Sequence, residues 1–335
     1  MNSILSKIKK PSIKRIFYII LFLLIIPISS TWLIVAQPTF TKNSPSNKTL
    51  ESSRLKAHVL KLSKDFFPRN HTATKNLDEC AEYILAHFKK AGADTSKQEF
   101  TVYGKRYQNV IGFFGDEAGE RIVIGAHYDA RMYTPGADDN ASGISGLIEL
   151  AYLIGKENID TGIELVAYTL EEPPFFGSED MGSARHAKLL HDRKVRIKCV
   201  IALEMIGYFS SAADSQLYPI PALKIFYPNK GNFIAIVGRL SQRKIVRKIK
   251  GLMKGAADLP VYSFNAPLIV PGIDFSDHRN YWHYGYDAVM ITDTAYYRNR
   301  EYHEPGDTAE RLNYESMAKA VIQVFEAIKG LSRKE

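Results

Sequence analysis

His127, Asp129, Asp138 and Asp139 fall within one short stretch, residues 122–143, that reads IVIGAHYDARMYTPGADDNASG. A run with the apolar character of a core strand ends in the histidine, and the adjacent aspartates follow a Pro-Gly turn at the start of a helical pattern. Carboxylates this close repel one another and rarely sit beside a core strand unless a cation holds them. The stretch therefore points to a metal site. Four further segments add candidate ligands: Glu171 and Glu172 after IELVAYTL, Glu204 in KCVIALEM, Asp277 and His278 in FSDHRNYW, and His303 in YHEPGDT. Each follows a predicted strand or lies in a loop where one ends. In open α/β sheets the ligand crevice lies outside the carboxyl ends of the strands, so residues distant in sequence converge there.

Residue type then narrows the metal. Histidines with carboxylates suit zinc or another borderline divalent ion. The two cysteines, Cys80 and Cys199, have no partner at ligand spacing, which excludes a thiolate zinc site; both read as buried free thiols. Two metals about 3.5–4 Å apart need a bridging carboxylate, and Asp138 is the candidate bridge. Asp129 follows His127 by two residues and so shares a strand face with it, which suits a carboxylate that grips the second imidazole nitrogen. Glu171 and Glu172 point in different directions, so that one can ligate while the other takes a proton from water. Asp139 or Asn140 reads as a helix cap. His186, His191 and His283, in helical patterns, read as structural or exposed.

Taken singly, these residues have ordinary explanations: a strand-end histidine, a capping aspartate, a solvated glutamate pair. Their joint placement is what argues for a site.

The elements that must position them alternate in type. Strands are predicted at residues 98–103, 107–114, 122–126, 163–170, 198–205, 233–237, 261–264 and 288–292, with helices at residues 77–90, 141–155, 181–192, 241–254 and 314–331 and a shorter one after Arg54. Such alternation predicts an α/β sandwich around a largely parallel central sheet. Residues 209–227 read as a loop excursion covering the domain.

Ahead of this body, residues 16–36 run without a charge, which is long enough to span a bilayer as a helix. The formal net charge of +8 is concentrated ahead of it and in the linker: residues 1–50 hold seven Lys or Arg and no acid, leaving +1 for everything from Glu51 onward. The basic signal therefore belongs to the N-terminus and not to a nucleic-acid-binding surface. The expected order is a basic cytoplasmic tail (1–15), a transmembrane signal-anchor (16–36), a linker (37–53) that lets the body stand clear of the membrane, and a catalytic domain (54–335). The domain then lies extracytoplasmically, in a periplasm or outside the cell; a cleaved signal with secretion is the alternative. The basic face of the helix at 241–254 reads as solvated.

AHYDA, PGADDNASG, the Glu-Glu pair followed by GS, ALEMIG and YHEPGDT, in this order, resemble the di-zinc exopeptidase family of aminopeptidase S, aminopeptidase Y, glutamate carboxypeptidase and the glutaminyl cyclases. The likeness covers the chain from about Leu77 onward. It implies a three-layer sandwich with a central mixed, mostly parallel sheet, two Zn2+ per chain and a peptide substrate. It implies that His127 and Glu204 bind one zinc, that Glu172 and His303 bind the other, and that Asp138 bridges them across a cis Asp138-Asp139 peptide. Glu171 is then the general base for a water bridged by the metals, and Tyr302 donates to the oxyanion. Glu204 departs from the Asp of many peptidase members. PPFF after Glu172 departs from Gly-Leu, and Phe175 and Phe176, with Asp277 and His278, are the candidate substrate contacts. The activity implied is that of an aminopeptidase; a single-zinc glutaminyl cyclase is the alternative, and a receptor-like ectodomain without catalysis comes last. The sequence leaves the oligomeric state open.

Overall fold

A computed structural model describes residues 12–40 and 44–333. Lys7, Lys9, Lys10 and Lys42, and with them most of the expected basic tail, lie outside the described residues.

Helix α1 (Ile13–Thr31) continues through a π-turn, Trp32–Ala36, into one 24-residue helix long and apolar enough to cross a membrane. Its side chains are mostly exposed up to Ile34, and Ala36 at its end is buried. The body begins with α2 (Ser52–Leu60) and α3 (Thr74–Lys90), whose Leu77, Cys80, Ala81, Ile84 and Phe88 are buried at helical spacing. Both cysteines are free and buried. Three strands follow, β1 (Asp94–Val102), β2 (Lys105–Phe114) and β3 (Arg121–His127), then α4 (Gly143–Ile154), β4 (Gly162–Tyr168), α5 (Gly182–Asp192) and β5 (Ile197–Glu204). The rest is β6 (Ile234–Arg239), α6 (Arg243–Met253), β7 (Val261–Ala266), a short α7 (His278–His283), β8 (Ala288–Thr292) and α8 (Tyr314–Ser332).

The eight strands form one mixed sheet in the order β1-β2-β4-β3-β5-β8-β6-β7. Its centre, β4-β3-β5-β8, is parallel throughout, whereas β1, β2 and β6 enter antiparallel pairs. Strand β4 is buried at every position, and so is β3 beyond Arg121, as central strands covered on both faces must be. One apolar core lies between the sheet and α2, α3, α4, α6 and α8; a second lies on the opposite face, where α5 and α7 pack. The fold is thus the three-layer α/β sandwich expected. Because the four central strands run the same way, His127, Glu171, Glu172 and Glu204 are delivered to one edge of the sheet.

The linker departs from expectation. Gln37 is buried, Ser46 bonds to Glu326 and to the Ala256 carbonyl, and Lys48 pairs with Glu157 at 2.6 Å. These polar residues find partners on the body, so the described residues of the segment lie along it instead of holding it at a distance.

Arg69 ties the body to the site stretch. Its guanidinium, buried at 1% exposure, donates to the carbonyls of Leu62, Tyr128, Pro135 and Gly136 at 2.6–3.0 Å. Arg69→Leu takes this donor from the Leu62, Tyr128 and Pro135 carbonyls, while Gly136 keeps the Ala141 N–H, and loss of hydrogen bonds to a charged group costs about 1.5–3 kcal/mol each. A fall in unfolding free energy of at least about 3 kcal/mol is expected, read from denaturant melts of the detergent-solubilised chain.

Candidate metal centre

Glycine 136 starts the site. It adopts φ +60, and a Cβ there would lie 2.3 Å from the Asp139 carbonyl oxygen, so only glycine fits this turn. Asp307, from the EPGD segment, then accepts hydrogen bonds from the backbone N–H groups of Asp138 and Asp139 at 3.0–3.2 Å, fixing both aspartates. Burial, with Asp138 and Asp139 nearby, pushes the Asp307 carboxyl up to about 8, against the pull of those donors.

The two aspartates take opposite directions. Asp138 accepts from the Gly207 N–H and from Asn299 Nδ2, each at 3.0 Å, and its carboxyl shares a buried contact with Asp293. Asp139 instead places Oδ1 3.4 Å from His127 Nε2 and Oδ2 3.1 Å from His303 Nε2. This corrects the expected bridge: the carboxylate between the two histidines is that of Asp139, because Asp138 is already occupied by donors on the far side of the turn. Asp139 caps no helix here. The cis peptide likewise falls at Asp139-Asn140, one residue later than expected.

Two candidate ligand sets result, His127 with Asp139 and Glu204, and Asp139 with Glu172 and His303, the donor atoms of each lying within 4.8 Å of one another. His127 Nε2 is 3.4 Å from Glu204 Oε2, and His303 Nε2 is 3.2 Å from Glu172 Oε2. The buried His127 Nε2 and Glu172 Oε2 have no hydrogen-bond partner, although buried polar atoms are almost always satisfied. The electrostatics agree. Burial opposes charge on both imidazoles, yet carboxylates raise His127 well above its ordinary value and bring His303 to about 10. Burial and like-charged neighbours push Glu171 and Glu204 upward and bring Glu172 and Asp277 to about 7. The pocket holds more negative charge than its own side chains neutralise, which is the environment a cation relieves.

The surrounding bonds aim these side chains. Asp129 Oδ1 lies 3.5 Å from His127 Nδ1, with its own carbonyl oxygen at 3.2 Å, and its carboxylate accepts from the N–H groups of Glu171 and Glu172 at 3.2 and 3.1 Å. One carboxylate thus orients the histidine and both glutamates. Asn140 donates to the Leu203 carbonyl and accepts from the Met205 N–H, bracketing Glu204, while Ser276 Oγ donates to Glu204 Oε2 at 2.7 Å. His303 Nδ1 meets Arg131 Nη1 at 2.6 Å. A guanidinium can only donate, and a metal-bound imidazole normally donates from its second nitrogen. The exposed Arg131 would have to give up Nδ1 if Nε2 held a cation.

Glu171 stands apart from both sets, its Oε2 3.8 Å from His127 Nε2. Tyr302 stacks on His303 at 3.8 Å and, with Glu204, lines an apolar, aromatic-rich cavity of about 90 Å³. Of the four candidate substrate contacts, Phe175, Asp277 and His278 are buried and Phe176 is half-buried. Phe175 is buried against His71, Tyr103 and Tyr107. Phe176 packs on Phe275 and under Arg279. His278 bonds the Ile273 carbonyl and packs on Trp282, and Asp277 is buried. None of these four lines the cavity. Asp307 and Ser276 are the site residues that sequence reasoning missed, Asp307 lying inside the quoted YHEPGDT motif; of the two helix-cap candidates, Asn140 accepts from the Gly143 N–H at the start of α4 at 3.0 Å, and Asp139 faces the histidines instead.

Asp307→Ala removes the carboxylate that fixes the bridging turn without touching a ligand. Metal affinity, titrated with a chromophoric chelator, is expected to fall about 10–100-fold.

A mixed α/β sandwich with paired His and carboxylate sets at the carboxyl ends of its parallel strands defines the class of the zinc exopeptidase fold. Residues 109–328 match the model of peptidase family M28, and the chain belongs to that family. It is 46% identical to the uncharacterized protein YfbL of Escherichia coli (strain K12), over 91% of this chain and 94% of that one. Among solved structures it is similar to BSAP, a zinc aminopeptidase from Bacillus subtilis, with a TM-score of 0.67 at 14% identity, covering 83% of this chain and 94% of that one. It is also similar to a glutaminyl cyclase from Bacteroides thetaiotaomicron, with a TM-score of 0.65 at 19% identity, covering 86% and 99%.

Proposed function

We propose that the protein is a membrane-anchored, zinc-dependent aminopeptidase that removes N-terminal residues from peptides, with α1 as its transmembrane anchor and the body extracytoplasmic. The observation that carries the reading is the position of Asp139, one carboxylate shared by two complete ligand sets. His127 and Glu204 would hold one ion, Glu172 and His303 the other, and Asp139 would serve both. Two zinc ions so held would polarise the scissile carbonyl and lower the pKa of an attacking water.

The chain's own residues do the rest. Glu171, buried and outside both sets, takes the proton from the water through its carboxylate and delivers it to the leaving amine. The Tyr302 hydroxyl, on the cavity wall beside His303, donates to the oxyanion as it forms. Asp129 holds Glu171 and Glu172 in register through their backbone N–H groups. The apolar, aromatic cavity takes the side chain of the residue removed.

The likeness to a glutaminyl cyclase supplies the second reading, single-zinc cyclisation of N-terminal glutamine. Two full ligand sets favour hydrolysis. The test is a panel of aminoacyl anilides and their N-blocked counterparts, with glutaminyl peptides, assayed on the solubilised full chain. Free-amine substrates are expected to be cleaved, blocked ones spared, and activity lost to a chelator and restored by Zn2+. Cyclisation of glutaminyl peptides without anilide cleavage would reverse the order of the two readings.

A further inference from the structure

The apolar helix does not end freely. Ala36 is buried with Leu223 and Tyr227, and Val35 packs against the same cluster. Lys250 Nζ, from α6, donates to the Ala36 and Gln37 carbonyls at 2.8 and 3.0 Å, and Ser263 Oγ donates to the Ala36 carbonyl at 2.9 Å. Asn265 Nδ2 donates to the Val35 carbonyl, and Gln37 Nε2 donates to the Arg243 carbonyl. The last carbonyls of a helix have no partner within it, so these donors cap it, and an ammonium at that end also meets the negative pole of its dipole. The helix therefore leaves the body at a fixed place, between α6 and the turn Pro221–Ile225.

What flanks that place is unlike the rest of a nearly neutral body. Residues 215–257 hold nine Lys or Arg and no acid. Lys224, Lys230, Arg243, Lys244, Arg247 and Lys248 are exposed among them. In the same stretch Leu217, Ile220 and Ile225 are 51%, 44% and 72% exposed, on the excursion whose Leu223 and Tyr227 hold Ala36. Exposed large apolar side chains interleaved with basic ones match the chemistry of the bilayer interface. Solvation accounts for a basic helix face alone. It does not account for the neighbouring apolar side chains, nor for both features bordering the root of a membrane-length helix.

We propose that the face formed by residues 217–227 and α6 rests on the bilayer, with Ile220 and Ile225 at the boundary of headgroups and acyl chains and the basic side chains on anionic headgroups. The inference rests on the anchor reading of α1. The body then lies against the membrane in one orientation. Tyr218 and Tyr227 belong to this segment and also wall the cavity that begins at Glu204 and Tyr302, so the pocket sits directly behind the membrane-facing surface. Peptides presented at the bilayer surface are the substrates this geometry favours.

Site-directed fluorescence quenching tests it. Ile225→Cys, Ile220→Cys, Ile20→Cys within α1 and Tyr103→Cys are made separately in the full chain. Tyr103 is 88% exposed in the β1–β2 turn, at the sheet edge opposite β7. The buried Cys80 and Cys199 are shielded from thiol reagents. Each variant is labelled with an environment-sensitive fluorophore and reconstituted into vesicles of phosphatidylcholine and phosphatidylglycerol containing doxyl-labelled lipid. Labels at 20, 220 and 225 are expected to be quenched and blue-shifted, and the label at 103 to be neither. Quenching at 20 with 220 and 225 matching 103 overturns the inference and leaves the anchor standing. No quenching at 20 removes the anchor reading, and the inference with it.

Discussion

Glu171→Gln is expected to lower kcat by about 10²–10⁴-fold while leaving KM and metal content close to those of the parent enzyme, the range lost with a positioned general base. The amide keeps the shape of the side chain but cannot take a proton. Glu171 makes no hydrogen bond through its carboxylate that the fold relies on; its nearest charged partner is His127 Nε2 at 3.8 Å, and its backbone is held independently by Asp129. Both ligand sets stay complete without it. Steady-state kinetics on an aminoacyl anilide, with zinc measured on the same preparation, checks the expectation. Turnover within about threefold of the parent would remove Glu171 from the role of base.

The second large effect separates two neighbouring aspartates. Asp139→Ala removes the one carboxylate shared by both sets, and activity is expected to fall by at least about 10³-fold, the scale of removing a group from a metal-assisted hydrolytic site. Asp138→Asn is expected to cost less than about tenfold. Asp138 is raised well above the usual carboxylate range, chiefly by burial and then by Asp293, so an amide resembles its protonated form and keeps an acceptor for the Gly207 N–H. Parallel assays of the two variants decide between them. An inactive Asp138→Asn beside an active Asp139→Ala would return the bridge to Asp138.

The contrast between these residues shows where sequence stops. That His127, Glu172, Glu204 and His303 converge was legible, because three of them mark the ends of adjacent parallel strands and strand ends can be read from apolar runs. Strand β8 was predicted at the bounds it has, and α8 was predicted one residue short. Which of two adjacent aspartates faces the histidines depends on the turn's backbone dihedrals, and these are set by Gly136, Asp307 and Asn140 through contacts up to 169 residues away in sequence. No local pattern encodes that choice. The docking of the linker was illegible for the same reason: a polar, aperiodic segment reads as free chain, and only tertiary partners such as Glu326, Glu157 and Lys250 reveal otherwise. Phe175 shows an ambiguity that sequence leaves open, between binding and packing. An aromatic beside a catalytic pair invites a binding role, whereas its ring fills a gap among His71, Tyr103 and Tyr107.

The central claim is a two-metal hydrolytic site built on Asp139. Its most direct test is zinc quantification by mass spectrometry on the purified full chain, titrated from the chelated form while peptide hydrolysis is followed. Activity is expected to reach its maximum as occupancy approaches two zinc ions per chain. Full activity at one zinc per chain, unchanged by further addition, would contradict the account.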